Sequence, residues 1–388
     1  MKILLCFGTR PEAIKMAPVI HELKKQKLEF KVCVTAQHRE MLDQVLDFFE
    51  IVPDYDLDLM KPNQSLNQLS ANILISMDSV IDAAGLRQAQ TDMVGLGKTG
   101  LRQAQTDVIL VQGDTTSAAM VALAAFHRGI KVGHIEAGLR TYNKEAPFPE
   151  EINRQLTARI ADWHFAPTAK ANSNLIKEQI PKENIYLTGN TVVDALEWAI
   201  AKMQSQPLSE EIQKIKNLLN ANKKMILVTG HRRENFGDGL IHICEALLEL
   251  SEREDVELLY PVHLNPNVTG PVQELLGNET NIHLISPVAY PTMLWLMQQC
   301  SLIISDSGGI QEEAPTFKKP ALITREVSER MESVEAGSSF LVGTDKDKIV
   351  EEAIRILDNP PDFTGIINPY GDGKAAFRIV EFLKNRIE

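Results

Sequence analysis

Three observations predict two doubly wound α/β domains for this chain: its length, a recurring set of short apolar runs, and the polar or glycine-bearing loops that end them. At roughly 150 residues per domain, 388 residues hold two or three domains with large cores. The runs fall at residues 3–7, 30–35, 108–111, 132–135, 163–166 and 185–187, and then at 225–229, 256–260, 282–285, 302–304 and 321–323. Continuous β-rich runs of this length, alternating with amphipathic stretches, read as buried parallel strands in βα units. Two such series give two doubly wound sheets. The seam is expected after residue 189, where residues 199–224 read as helix, loop and helix. Residues 374–388 follow a Gly/Pro-rich turn and have helical period, which alone does not say which domain they join.

Composition narrows the function classes. With 44% hydrophobic and 24% charged residues, the chain has a globular balance rather than a disordered one. Lys plus Arg is 40 against 52 for Asp plus Glu, a net charge of −12. That field argues against wrapping nucleic acid or an anionic membrane, and leaves room for a local basic pocket. The cysteines Cys6, Cys33, Cys244 and Cys300 show no CxxC spacing, which disfavours a structural zinc or a disulfide framework. The first apolar run is cut off by Gly8, Thr9 and Arg10, too short for a secretion signal or a membrane span. A cytoplasmic protein is expected.

In open α/β sheets, ligands bind beyond the carboxyl ends of strands, so those positions carry the candidate chemistry. The first run ends in Gly8-Thr9-Arg10-Pro11-Glu12. Proline with an acid in the first turn marks a helix start, whose unpaired backbone N–H groups can face an anion together with Arg10, and Lys15 adds a second cation one turn on. The run 108–111 ends in Gln112-Gly113-Asp114, the next in His134-Ile135-Glu136, and a proline-led helix start carries Glu150 and Glu151. Asp114, Glu136 and Glu150 are the candidate proton-transfer carboxylates, because clustered acids raise one another's pKa. The alternative is that they merely complement helix dipoles.

In the second half, Gly230-His231-Arg232-Arg233 places a histidine and two guanidinium groups at a strand end, a pattern for an anion. Ser305-Asp306-Ser307-Gly308-Gly309 then runs from strand to helix. Its small residues allow close backbone approach, and the helix N-terminus suits a phosphate. It is not G-x-G-x-x-G, so a dinucleotide is disfavoured. A nucleoside diphosphate fits better.

One stretch stands apart. Residues 85–92 read GLRQAQTD, and residues 100–107 repeat them. Two short copies do not make a solenoid. Gly97-Lys98-Thr99 between them lacks the glycine of a P-loop, because Asp92 occupies that position. A surface insertion at 85–107 is the expectation.

Taken together, FGTRPEAIKMAPVI, TAQHREMLDQVL, QGDTTS, GHIEAGLRT, PFPEEINR, TGNTVVDAL, GHRRENFG, YPVHLNPNV, SDSGGIQEEAP and NPYGDG resemble the non-hydrolysing UDP-N-acetylglucosamine 2-epimerases of bacteria, in order over nearly the whole chain. The resemblance implies a GT-B-like fold: two Rossmann-like domains facing across a cleft, with the C-terminal helix crossing back to the first. On that pattern the first domain spans 1–189 with 368–388, and the UDP-binding domain spans 190–367. It implies a homodimer needing no cofactor and no metal, which converts UDP-N-acetylglucosamine to UDP-N-acetylmannosamine through 2-acetamidoglucal. Asp114, Glu136, Glu150 and His231 match the catalytic residues. Arg10, Lys15, His263, Ser307, Gly308, Gly309, Glu313 and Arg330 match substrate and UDP contacts. Gln37, His38 and Arg39 match the loop that takes UDP-N-acetylglucosamine as an allosteric activator.

Two departures from the family pattern stand out. Met331 replaces a frequent proline after Arg330, and the repeat adds about twenty residues to a helix-to-strand connection, at a loop-closure cost of only about 0.6 kcal/mol per doubling. The rival readings are a hydrolysing 2-epimerase, a GT-B glycosyltransferase that would not need the three carboxylates in this form, and a non-catalytic UDP-sugar sensor.

Overall fold

The computed structural model describes residues 2–36, 39–61, 64–86, 107–230, 232–363, 365 and 367–386. Gln37, His38 and His231, together with most of the repeat, lie outside them. The chain divides into two compact units, Met1–Ala195 with Tyr370–Glu388, and Leu196–Pro369.

Unit 1 carries strands β1 (Ile3–Phe7), β2 (Phe30–Val34), β3 (Tyr55–Asp56), β4 (Val108–Gln112), β5 (Lys131–Ile135), β6 (Trp163–Ala166) and β7 (Ile185–Leu187). They form one sheet in the order β3-β2-β1-β4-β5-β6-β7, with every pairing parallel. Every residue of β1 and β4 is buried, as expected for strands covered on both faces. One layer of that core sets Leu4, Cys6, Ile109, Val111 and Val132 against Ile73, Met77, Val121 and Ala125 of the Leu66–Ala84 and Thr116–His127 helices.

Unit 2 carries β8 (Lys224–Thr229), β9 (Val256–Pro261), β10 (Ile282–Ile285), β11 (Leu302–Ser305), β12 (Ala321–Ile323) and β13 (Ser339–Leu341). The sheet order is β10-β9-β8-β11-β12-β13, again all parallel. The strand order reverses beside β1 and β4 in unit 1 and beside β8 and β11 in unit 2. Those are the topological switch points where doubly wound sheets bind ligands.

The predicted fold class holds, and all eleven expected runs are strands. The two unexpected strands are short edge elements. β3 holds only Tyr55 and Asp56, neither buried, so no apolar run marks it. In β13 only Ser339 is buried.

The C-terminal helix, Ala375–Lys384, packs on unit 1. Asp194 caps it, accepting the N–H groups of Ala375 and Ala376 at 3.2 and 2.8 Å. Phe382 seats its ring against Trp163, Phe165 and Tyr186, with centroids 5.4, 5.5 and 4.1 Å away. Among the described residues, no helix is long and apolar enough to cross a membrane.

Candidate active site

At the end of β1 the chain turns at Gly8. A Cβ there would collide with Thr35 Oγ1 and stand 2.7 Å from Ser117 Oγ, so only glycine fits. Thr9 then caps the Arg10–Lys25 helix in a capping box with Glu12. Glu12 does more than cap. Its Oε2 accepts from Gly8 N–H at 3.0 Å and Thr9 N–H at 2.8 Å, and its Oε1 accepts the Thr115 hydroxyl at 2.6 Å. One buried carboxylate thus ties the turn after β1 to the turn after β4. Burial raises the Glu12 pKa above its ordinary value, and these hydrogen bonds oppose the rise.

Lys15, one turn further on, is buried and forms an ion pair with Glu136 Oε2. Glu136 immediately follows β5 and adopts φ +65°, a left-handed backbone that costs a non-glycine residue energy. Its surroundings hold it there. Asn190 donates Nδ2–H to the same Oε2 at 3.0 Å. Two residues on, Gly138 has φ +97°, and a Cβ would run into the Ala171 carbonyl. Asn174 donates to the Gly138 carbonyl at 3.0 Å. Arg140, with a fully buried side chain, clamps Glu178 through Nε and Nη2 at 2.7 and 2.9 Å.

Asp114 stands two residues beyond β4, at the adjacent strand end. The β4–β5 register sets Gln112 opposite Ile135, so Asp114 and Glu136 leave neighbouring strands at the same edge. Gly113 makes the turn at φ +68°, and its carbonyl accepts from His134 Nε2 at 2.7 Å. That contact assigns the proton to Nε2. Burial drives the His134 pKa down to about 3, so the ring is neutral. Asp114 is ion-paired with Arg154 Nη2, and Arg154 also donates to Glu151 at 3.2 Å. Glu151 is completely buried. It accepts Thr141 and Tyr142 N–H groups, each at 3.0 Å, and Gln155 Nε2 at 2.8 Å. Glu150 opens the same helix and is half-buried. The sequence pattern singled out Glu150, while the acid that organises Arg154 is its neighbour. Both are helix-start acids, and spacing alone does not separate them.

In unit 2, Thr229 and Ser305 share a hydrogen bond of 2.7 Å across the ends of β8 and β11. Buried Asp306 accepts Arg232 N–H at 2.8 Å and Asn235 Nδ2 at 3.3 Å. A narrow pocket opens here, lined by Gly230, Arg232, Asn235, Tyr260 and Asp306 among others. Ser307, Gly308 and Gly309 lead into the Gly308–Glu313 helix, whose N-cap Ser307 makes no side-chain cap bond. Gly308 lies against the Arg330 guanidinium, where a Cβ would sit 2.6 Å from Nη1. Arg330 is locked by Glu312 at 2.6 Å and by Glu329, and Arg325 joins Glu329 to Glu234. Glu313 is buried and takes the Tyr290 hydroxyl at 3.3 Å. His263 is exposed, its Nδ1 accepting Asn265 N–H at 3.1 Å.

The structure therefore joins Lys15 to Glu136 and sets Asp114 one strand away. Gly308 and Arg330 are in contact. Arg39 is half-exposed, with ion pairs to Asp43 at 3.0 Å and Asp56 at 2.6 Å. Glu12, Glu151, Arg154, Asn190 and Asp306 complete these networks and had no individual signal in the sequence beyond their motifs.

Comparison with known proteins gives matches of three kinds: a family model, relatives and solved structures. Residues 21–384 match the family model described as UDP-N-acetylglucosamine 2-epimerase. The enzyme of that name from Salmonella typhimurium is 50% identical over 391 residues, covering 99% of each chain, and that from Escherichia coli K12 is 49% identical with the same coverage. The structure of UDP-GlcNAc 2-epimerase from Neisseria meningitidis bound to UDP-GlcNAc superimposes with a TM-score of 0.90 at 46% identity, covering 99% of this chain and 100% of that one. A complex of the Methanocaldococcus jannaschii enzyme with UDP-GlcNAc and UDP gives 0.82 at 32% identity, with coverage of 99% and 100%. The chain belongs to the UDP-N-acetylglucosamine 2-epimerase family.

Proposed function

We propose that this protein inverts C2 of UDP-N-acetylglucosamine reversibly, giving UDP-N-acetylmannosamine without net hydrolysis. The observation that carries this reading is the pair of carboxylates, Asp114 and Glu136, on adjacent strand ends, each held by its own cation, Arg154 and Lys15. Inversion at carbon needs a proton taken from one face and returned to the other, which calls for more than one fixed proton carrier.

In the proposed reaction a carboxylate takes the C2 proton. The C–H electrons become the C1=C2 double bond, and the C1–O bond breaks with its pair on the UDP oxygen, anti to the departing proton. The products of this half-reaction are 2-acetamidoglucal and UDP. In the return, an oxygen of the UDP β-phosphate, whose terminal oxygens have become equivalent, adds to C1 as a protonated group delivers hydrogen to the opposite face of C2. Asp114, Glu136 and Glu150 are assigned to proton transfer, and His231, by the family pattern, to the region of the diphosphate. Arg10, His263 and Arg330 are assigned to the anion, Ser307, Gly308 and Gly309 to backbone contacts with the diphosphate, and Glu313 to the ribose. Fixed cations and N–H dipoles at the leaving oxygen stabilise the charge that develops there. No redox cofactor is needed, because elimination and re-addition of UDP leave the sugar with no net change of oxidation state.

The same reading makes the protein a cytoplasmic homodimer that supplies cell-envelope polysaccharide synthesis, with UDP-N-acetylglucosamine acting also as an activator near Gln37, His38 and Arg39. Incubation with UDP-N-acetylglucosamine in D2O, followed by proton NMR, tests the activity. UDP-N-acetylmannosamine deuterated at C2 is expected. Free N-acetylmannosamine would make the enzyme a hydrolase, and an unchanged spectrum would leave a sensor or a transferase.

A further inference from the structure

Asn190 belongs to none of the assigned groups, yet it is almost completely buried and every part of it is engaged. It stands between β7 and the Thr191–Gln204 helix. Its Oδ1 accepts Val192 N–H at 3.0 Å, which fixes the orientation of the amide. The Nδ2 group must then face the other way, and it donates to Glu136 Oε2 at 3.0 Å. Capping alone does not require asparagine, because Ser, Thr and Asp cap equally well. Among these, only Asn both caps through an oxygen and reaches Glu136 with a neutral donor.

The backbone at Asn190 is held from the C-terminal segment. Asn190 N–H donates to the Tyr370 carbonyl at 2.7 Å. Gly371 approaches so closely that a Cβ would lie 3.4 Å from Asn190 N. Tyr370 is buried with Val192 and Val193. Arg378 reaches back to the Thr188 carbonyl at 2.9 Å and grips Asp372 at 2.7 and 2.6 Å. The returning chain thus sets the residue that touches the acid.

We infer that Asn190 is a positioning residue for Glu136: docked by the Tyr370–Asp372 segment, it shares Glu136 Oε2 with Lys15 and holds the carboxylate in the orientation that proton transfer requires. This rests on the epimerase reading. A misplacement of about 1 Å at a reacting group costs about 10²-fold in rate, so the donor matters out of proportion to one hydrogen bond.

Two cap-competent variants test it. Asn190→Ser keeps the cap and is too short to reach Glu136; kcat should fall about 10- to 100-fold with little change in KM. Asn190→Asp keeps the cap and opposes Glu136 with a second carboxyl. The two acids should share a proton at low pH and repel once it leaves, so the ratio of variant to wild-type kcat should fall as pH rises. A merely structural cap predicts near-normal kcat for Ser and a pH-independent ratio for Asp; either result overturns the inference. Loss of folding in both variants, seen by circular dichroism, overturns it in favour of a packing role; if only the Asp variant unfolds, the Ser result decides. Wild-type enzyme that leaves UDP-N-acetylglucosamine unchanged removes the epimerase reading and this inference with it, an outcome distinct from failure of the variants alone.

Discussion

Lys15 on the first helix and Glu136 on the turn after β5 form a buried ion pair across 121 residues of sequence. Removing one partner of such a pair strands the other charge away from water, which costs about 3–5 kcal/mol. Lys15→Met should lower the urea midpoint accordingly, and Glu136→Gln added to it should restore part of the loss. A double variant no better than the single one would mean the pair contributes through packing rather than charge.

Proton transfer supplies the second expectation. Asp114→Asn, Glu136→Gln and Glu150→Gln should each reduce turnover by about 10²-fold or more, measured with saturating UDP-N-acetylglucosamine. A near-normal rate in any one removes that residue from the proton-transfer set. For Glu150 the comparison with Glu151→Gln is informative. Loss of Glu151, which anchors Arg154 and two loop N–H groups, should lower stability as well as rate.

Acid should destabilise the fold through two buried histidines. His134 and His164 lie opposite one another on β5 and β6, and burial lowers their pKa values to about 3 and about 4. The unfolded chain takes up these protons near pH 6.5, well before the folded one. Stability is therefore complete above that pH and is lost as pH falls toward the folded values, at about 1.4 kcal/mol per pH unit for each ring. Urea titrations between pH 7.5 and 4.5 should show a shallower loss for His134→Gln than for wild type. Equal slopes would contradict this.

Deleting residues 86–100 leaves a single GLRQAQTD. It keeps Gly85, the left-handed C-cap of the Leu66–Ala84 helix, and Asp107, whose buried carboxylate accepts Lys2 N–H at 2.6 Å. These anchors lie at the amino edge of the sheet, opposite the strand ends that carry Asp114 and Glu136. Turnover and oligomeric state should be unchanged. A large loss of turnover in a folded product would make the repeat functional.

The strands were legible because buried parallel strands leave uninterrupted apolar runs. β3 escaped because two half-exposed residues leave no such mark. Asp114, Glu136 and Ser307 were legible as strand-end residues, since the topology of a doubly wound sheet places ligands there. Their partners were not. Lys15 was legible as a cation but not as the partner of Glu136; it, Arg154 and Asn190 meet the acids through contacts between distant segments, and a pattern of spacing carries no distance. The same limit explains Glu12, which reads as a helix-start acid and also bridges two turns.

Positional isotope exchange tests the central claim most directly, that C1–O cleavage accompanies inversion at C2. UDP-N-acetylglucosamine labelled with 18O in the oxygen bridging C1 and the β-phosphorus would be followed by 31P NMR as it epimerises. Elimination to free UDP predicts that the label spreads into the non-bridging β-phosphate positions as the sugar returns. Epimerised product with all of its label still bridging would contradict the account.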